Sequence, residues 1–123
     1  MPPIFPDDWP SGCPPHDAVD PNGDFFACHK ESPASADDFK TAAERGLHAS
    51  RDACQRRGLS VCQTIDDARE IIRRFPRAFR FVSKGALAAE HGKIKRTDGP
   101  VFSHHTFWKC RTLTFQQLFT QVV

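Results

Sequence analysis

The chain has 123 residues, of which 39% are hydrophobic and 26% charged, which suffices for one core and falls short of two. No run approaches the ~18 apolar residues of a membrane helix, and Met1–Pro10 has neither a basic start nor an apolar stretch, so no membrane association and no secretory leader are expected. Eleven Phe and two Trp speak against a disordered chain.

Charge is segregated. Residues 1–44 hold nine acids against Lys30 and Lys40, a net of −7, whereas residues 45–123 hold fifteen Lys and Arg against six acids, a net of +9. Such asymmetry implies an anionic partner for the second part, or an acidic segment lying on a basic body. Five cysteines (13, 28, 54, 62 and 110) cannot all pair within one chain. Mostly reduced thiols in a cytoplasmic protein are therefore expected.

Seven of the ten prolines fall in residues 1–24. Proline fixes φ and removes a donor, so this stretch is expected to be an extended acidic arm, with Ile4, Phe5 and Trp9 as apolar hooks. Residues 25–123 are expected to form a single α+β domain. Asp20-Pro21-Asn22-Gly23 reads as a turn, and Phe25–His29 as a short strand. Ser35 with Asp38 is a capping-box pair opening a helix over Phe39, Ala42 and Ala43, which Gly46 stops. Ser50 caps a second short helix carrying Ala53 and Cys54, ended by Gly58.

Leu59–Gln63 alternates as a strand. Thr64 with Asp67 opens a helix whose Ile65, Ala68, Ile71 and Ile72 fall at helical spacing, and Pro76 makes Phe75 its end. Ala78–Val82 reads as a strand with Phe79 and Phe81 buried on one face, and Ala86–Glu90 as a helical turn closed by Gly92. Lys93–Thr97 and Pro100–Trp108 form a hairpin about a tight Asp98-Gly99 turn. Phe115, Leu118, Phe119 and Val122 follow i, i+3, i+4, i+7, the stripe of a final amphipathic helix. The expected fold is a small, mainly antiparallel sheet with packed helices.

Three residue sets carry possible chemistry. Arg69, Arg73, Arg77, Arg80 and Lys84, with Lys93 and Lys95 on the hairpin, form a candidate phosphate-binding face, because guanidinium forks match phosphate oxygens. Phe75, Phe79 and Phe81 interleave with them. His29, Ser60, His104 and His105 are candidate catalytic residues: imidazoles suit proton transfer, and Ser60 lies just ahead of a helix start. Strand alternation lets only one of His104 and His105 share a side with His29, and the sequence leaves open which. Cys13-Pro14-Pro15-His16 has ligand-like spacing, but adjacent Cys28-His29 is a poor second half for zinc, so neither a metal nor a cofactor is expected.

A strand with a central polar residue (Phe25-Phe26-Ala27-Cys28-His29-Lys30), followed later by Gly58-Leu59-Ser60-Val61 ahead of a helix, loosely resembles small ADP-ribosyltransferase-type domains. That resemblance implies His29 and Ser60 as residues that hold a nucleotide-type substrate. Unlike that pattern, this chain has no Tyr, and His104-His105 stands where a closing-strand Glu belongs.

Three functions follow as expectations. The first is a domain binding nucleic acid or a nucleotide through its basic face. The second is an enzyme on a nucleotide-type substrate, using His29, Ser60 and His104 or His105. The third is a protein-interaction subunit using the Pro-rich arm and the C-terminal apolar helix.

Overall fold

A computed structural model of the chain describes residues 2–47 and 52–123. It holds one six-stranded antiparallel sheet: β1 Gly23–His29, β2 Leu59–Cys62, β3 Phe81–Leu87, β4 Gly92–Arg96, β5 His104–Lys109 and β6 Gln121–Val122. The spatial order is β4-β5-β2-β1-β3-β6. Three helices accompany it, α1 Ala42–Arg45, α2 Ile65–Arg74 and α3 Phe115–Leu118. This is the small α+β architecture expected, and among the described residues no helix is long and apolar enough to cross a membrane.

Both faces of the sheet are apolar, because β1 carries large or apolar side chains at successive positions. Phe25 and Ala27 point to one side, with Val61, Leu87, Ile94 and Phe107, and there Phe39, Phe115, Leu118 and Phe119 cover them. Phe26 and Cys28 point to the other side, with Cys62 and Val82, under Ala68 and Ile71 of α2. The aromatic face forms the larger core: Phe39 and Phe107 each lie within ring-contact distance of Phe115 and Phe119.

Local signals set α2 well. Thr64 accepts a hydrogen bond from the Asp67 amide, and the helix ends at Phe75, whose N–H reaches the Ile71 carbonyl. The Asp67 carboxylate does not complete a capping box; it accepts from the Ser103 amide at 2.9 Å and ties α2 to the loop before β5.

Several boundaries differ from expectation. Asp20–Gly23 is no turn: Val19 bridges Ile94, Asp20 pairs with Lys93, and Gly23 opens β1 with φ +122°. The helix after Ser35 is broken in two, a 3-10 turn at Ala36–Phe39 and then α1, because Thr41 and Glu44 form a second capping box at once. Gly46 does end α1, in the left-handed conformation at φ +68°. The cap placed at Ser50 lies outside the described residues; Gly58 follows a 3-10 turn at Gln55–Arg57.

β3 starts at Phe81 rather than Ala78, since Ala78 and Phe79 still donate to the Phe75 carbonyl. Phe81 consequently keeps 36% of its surface exposed instead of being buried. Ala86 and Leu87 belong to β3, and the turn before Gly92 is Ala89–His91. The hairpin exists, but residues 97–103 connect it. Gly99 is spent on close approach, as a Cβ there would lie 2.4 Å from the His104 ring. The last helix is one turn long. Beyond it the chain extends, and Gln121 and Val122 pair with the outer edge of β3, leaving Val122 exposed while Phe115, Leu118 and Phe119 enter the core.

The cysteine expectation needs correction at two positions. Cys13 and Cys54 form a disulfide across 41 residues, a pairing that neither spacing nor an odd count can signal. Cys28, Cys62 and Cys110 are free. Burial pushes both the Cys28 and Cys62 thiols up to about 12. Thiolate is the nucleophile, so under native conditions iodoacetamide is expected to leave Cys28 and Cys62 unmodified, and to label both after unfolding. Rapid native labelling of either, read by mass spectrometry, would show that the α2 face opens.

Candidate functional site

A cleft of about 440 Å³ lies at the end of β5 between the N-terminal segment and α1. Pro6, Asp8 and Trp9 line one wall, Thr41, Ala43 and Glu44 another, and Arg57, Lys109 and Phe115 the floor. Each wall has a local cause. Lys109 follows Phe107 by two on β5 and therefore emerges on the aromatic face. Its ammonium donates to the Cys110 carbonyl at 2.9 Å and sits 5.2 Å from the centre of the Phe115 ring. Burial holds the Lys109 pKa below its ordinary value, against the opposing pull of Cys110 and Glu44.

Glu44 is positioned by the α1 cap, where its carboxylate accepts from the Thr41 amide and hydroxyl at 3.0 and 3.1 Å. Arg57 closes the 3-10 turn before β2 and donates to the Ala53 carbonyl at 2.7 Å. Trp9 stacks on Phe5 at 5.5 Å. The N-terminal segment is fastened to the body at several places: the Arg111 amide donates to the Ile4 carbonyl at 2.8 Å, Arg111 pairs with Asp7 at 3.7 Å, Cys13 is bonded to Cys54, Val19 bridges Ile94, and Asp17 and Asp20 pair with Lys95 and Lys93.

The cleft joins two cations, two carboxylates and an indole. Neither Lys109 nor Arg57 has a carboxylate within ion-pair distance among the described residues. Burial of a cation outside ion-pair distance of a carboxylate carries a desolvation cost, which is why the Lys109 pKa falls even with Glu44 nearby. None of Trp9, Arg57 and Lys109 stands out in the sequence as a site residue, since each reaches the cleft only through long-range packing.

The seven cations expected to form one phosphate-binding face are divided. Lys93 and Lys95 lie on β4 at one edge, paired with Asp20 at 2.5 Å and Asp17 at 2.8 Å. The hydrogen bond from Lys95 holds the Asp17 carboxyl below its ordinary value. Lys84 sits on β3 beside Asp24, at 4.0 Å. β3 and β4 are four positions apart in the sheet, roughly 19 Å by strand spacing. On α2, Arg73 and its neighbour Arg74 share Glu70 at 2.5 and 2.8 Å, and their hydrogen bonds draw the Glu70 carboxyl down to about 2. Arg69, Arg77 and Arg80 are exposed and make no ion pair among the described residues.

The candidate catalytic residues do not converge either. His29 is on the aromatic face and Ser60 on the α2 face, exposed to solvent. His105 shares the side of His29, where its ring meets Phe25 edge-on at 5.6 Å. It stands two strands away and one side-chain pair along, roughly 12 Å by strand spacing. His104 faces the α2 side, with its Nδ1 at 3.0 Å from the Thr97 hydroxyl. Cys13, one half of the metal-like spacing with His16, is occupied by its disulfide.

His29 has a different partner, Ser83, whose Oγ lies 2.7 Å from its Nε2, while Nδ1 lies 2.6 Å from the Glu31 carbonyl. Ser83 reaches His29 because β3 pairs with β1 along its whole length, a pairing with no local signature.

No protein-family model, curated protein or solved structure is significantly similar to this chain.

Proposed function

We propose that the protein binds a small phosphate-bearing ligand of nucleotide type, and that the cleft between Trp9, α1 and the end of β5 is where it binds. The observation that carries this reading is the pairing of Lys109, partly buried and without a carboxylate partner, with Arg57 and the Trp9 indole in one cleft. Its volume of about 440 Å³ falls within the few hundred to about 1,000 Å³ usual for small-ligand pockets. Two cations suit a phosphate, the indole suits a planar base, and the Glu44 and Asp8 carboxylates suit the hydroxyls of a ribose.

Titration with ADP, followed through indole fluorescence, tests this. Lys109→Met keeps the aliphatic stem over Phe115 and removes the charge. A charged hydrogen bond is worth about 1.5–3 kcal/mol, so affinity is expected to fall roughly ten- to a hundred-fold. Affinity is also expected to fall as pH rises through the titration of Lys109, which burial places below the ordinary lysine value of 10.5. Equal affinity in wild type and variant would remove the cleft from the account.

A nucleic-acid reading rests on Arg69, Arg77 and Arg80, which stay exposed, as does Phe75. Binding of single-stranded RNA that weakens steeply with salt and survives Lys109→Met would favour it. The Cys13–Cys54 disulfide favours an oxidising compartment over the cytoplasmic setting expected from the cysteine count.

A further inference from the structure

We infer that Ser83 and His29 form a nucleophile–base pair that accepts short acyl groups from esters, at a second pocket separate from the nucleotide cleft. The two ring nitrogens of His29 have different partners. The Glu31 carbonyl oxygen can only accept, so the 2.6 Å contact requires the proton on Nδ1 of His29. In the neutral ring Nε2 then carries a lone pair, and the Ser83 hydroxyl 2.7 Å away donates to it. A serine hydroxyl aimed at a basic imidazole nitrogen, with the other nitrogen oriented by an acceptor, is the arrangement that activates a serine for attack.

The backbone holds this geometry rigidly. Ser83 lies opposite Ala27, and His29 opposite Phe81, in the long β1–β3 pairing, so the two side chains are diagonal neighbours on one face. His29 is 0% and Ser83 1% exposed, and the imidazole lies between the Phe39 and Phe81 rings, each 5.9 Å away.

Ser83 also borders a pocket of about 210 Å³. Pro33, Ala34, Phe119 and Val122 give it apolar walls, and Gln116 and Thr120 supply polar groups. That volume and lining suit a chain of a few carbons rather than a nucleotide. In the first half-reaction, Ser83 Oγ forms a bond to the ester carbonyl carbon while its proton passes to His29 Nε2. The C–O bond to the alcohol then breaks, and the departing alkoxide takes that proton. Water repeats the sequence on the acyl-serine, releasing the carboxylic acid and restoring Ser83. Because a neutral carbonyl, not a carboxylate, orients His29, the imidazolium gains less stabilisation than in a full triad, and turnover is expected to be slow.

The test uses the intact chain with methanesulfonyl fluoride as a probe, followed by peptide mapping, and with p-nitrophenyl acetate as substrate. Stoichiometric sulfonylation at Ser83, with loss of the esterase activity, is expected. His29→Gln should slow labelling roughly a hundred-fold while circular dichroism remains unchanged. Should His29→Gln fail to fold, Ser83→Cys replaces it: with the imidazole intact, this thiol should react with iodoacetamide faster than the free thiols of the same chain. A folded wild type without label at Ser83, labelling indifferent to His29→Gln, or a Ser83→Cys thiol as inert as Cys62 would each overturn the proposal and leave the pair a purely structural hydrogen bond. ADP binding at the other cleft is measured separately, so failure here leaves that reading intact.

Discussion

Phe107→Ala is expected to cost about 3–5 kcal/mol of unfolding free energy. Phe107 is 0% exposed and lies at the centre of the aromatic face. Its ring meets Phe115 and Phe119 at 6.1 and 6.4 Å, both nearly edge-on. Truncation therefore removes the transfer free energy of a phenyl group and leaves a cavity that cannot collapse. β5 is paired on both sides, with β2 and β4, and cannot move inward. Domains of this size are stable by only about 5–15 kcal/mol, so the loss would consume a large fraction of the total. Urea unfolding reads it directly as a lower midpoint at unchanged slope. A shift under 1 kcal/mol would mean that the aromatic layer is not the main core.

The second large effect is at the Cys13–Cys54 disulfide. It closes a loop of 41 residues, for which the chain-entropy model gives about 4 kcal/mol of stabilisation. The double variant Cys13→Ser, Cys54→Ser is expected to melt roughly 10–20 °C lower than wild type. It should also lose much of its ADP affinity, because Pro6, Asp8 and Trp9 form one wall of the cleft and this bond is one of the ties that hold the segment down. Treatment with a dithiol reductant should reproduce both effects in the wild type. Unchanged melting would show that the noncovalent ties through Ile4, Asp7, Val19 and Asp17 suffice.

β1, β2 and α2 are legible because their signals are local: the short apolar run Phe25–His29, alternation in Leu59–Gln63, the Thr64 cap, the apolar spacing to Ile72 and the stop before Pro76. Signals that compete within a few residues are harder. Ser35–Asp38 and Thr41–Glu44 each cap a turn, and one helix became two short ones. At the C-terminus the i, i+3, i+4, i+7 stripe suggests a longer helix than forms, because the open edge of β3 offers Gln121 and Val122 backbone partners.

The site residues depend on still longer range. The charge segregation is plain in the sequence, and part of its physical use is internal, as Asp17 and Asp20 neutralise Lys95 and Lys93. Singling out His29 as a candidate is possible from its strand, but its partner lies 54 residues away and comes from the β1–β3 pairing. Lys109 and Arg57 look like ordinary surface cations until the N-terminal segment and α1 close around them.

Binding of a phosphate-bearing ligand in the cleft beside Lys109, as proposed, is tested most directly by NMR on the isotope-labelled chain during addition of ADP. Shifts are expected at the Trp9 indole, Arg57, Lys109 and the Thr41–Glu44 cap, saturating together. Shifts confined to Arg69, Arg77 and Arg80, or none at low ionic strength, would contradict it.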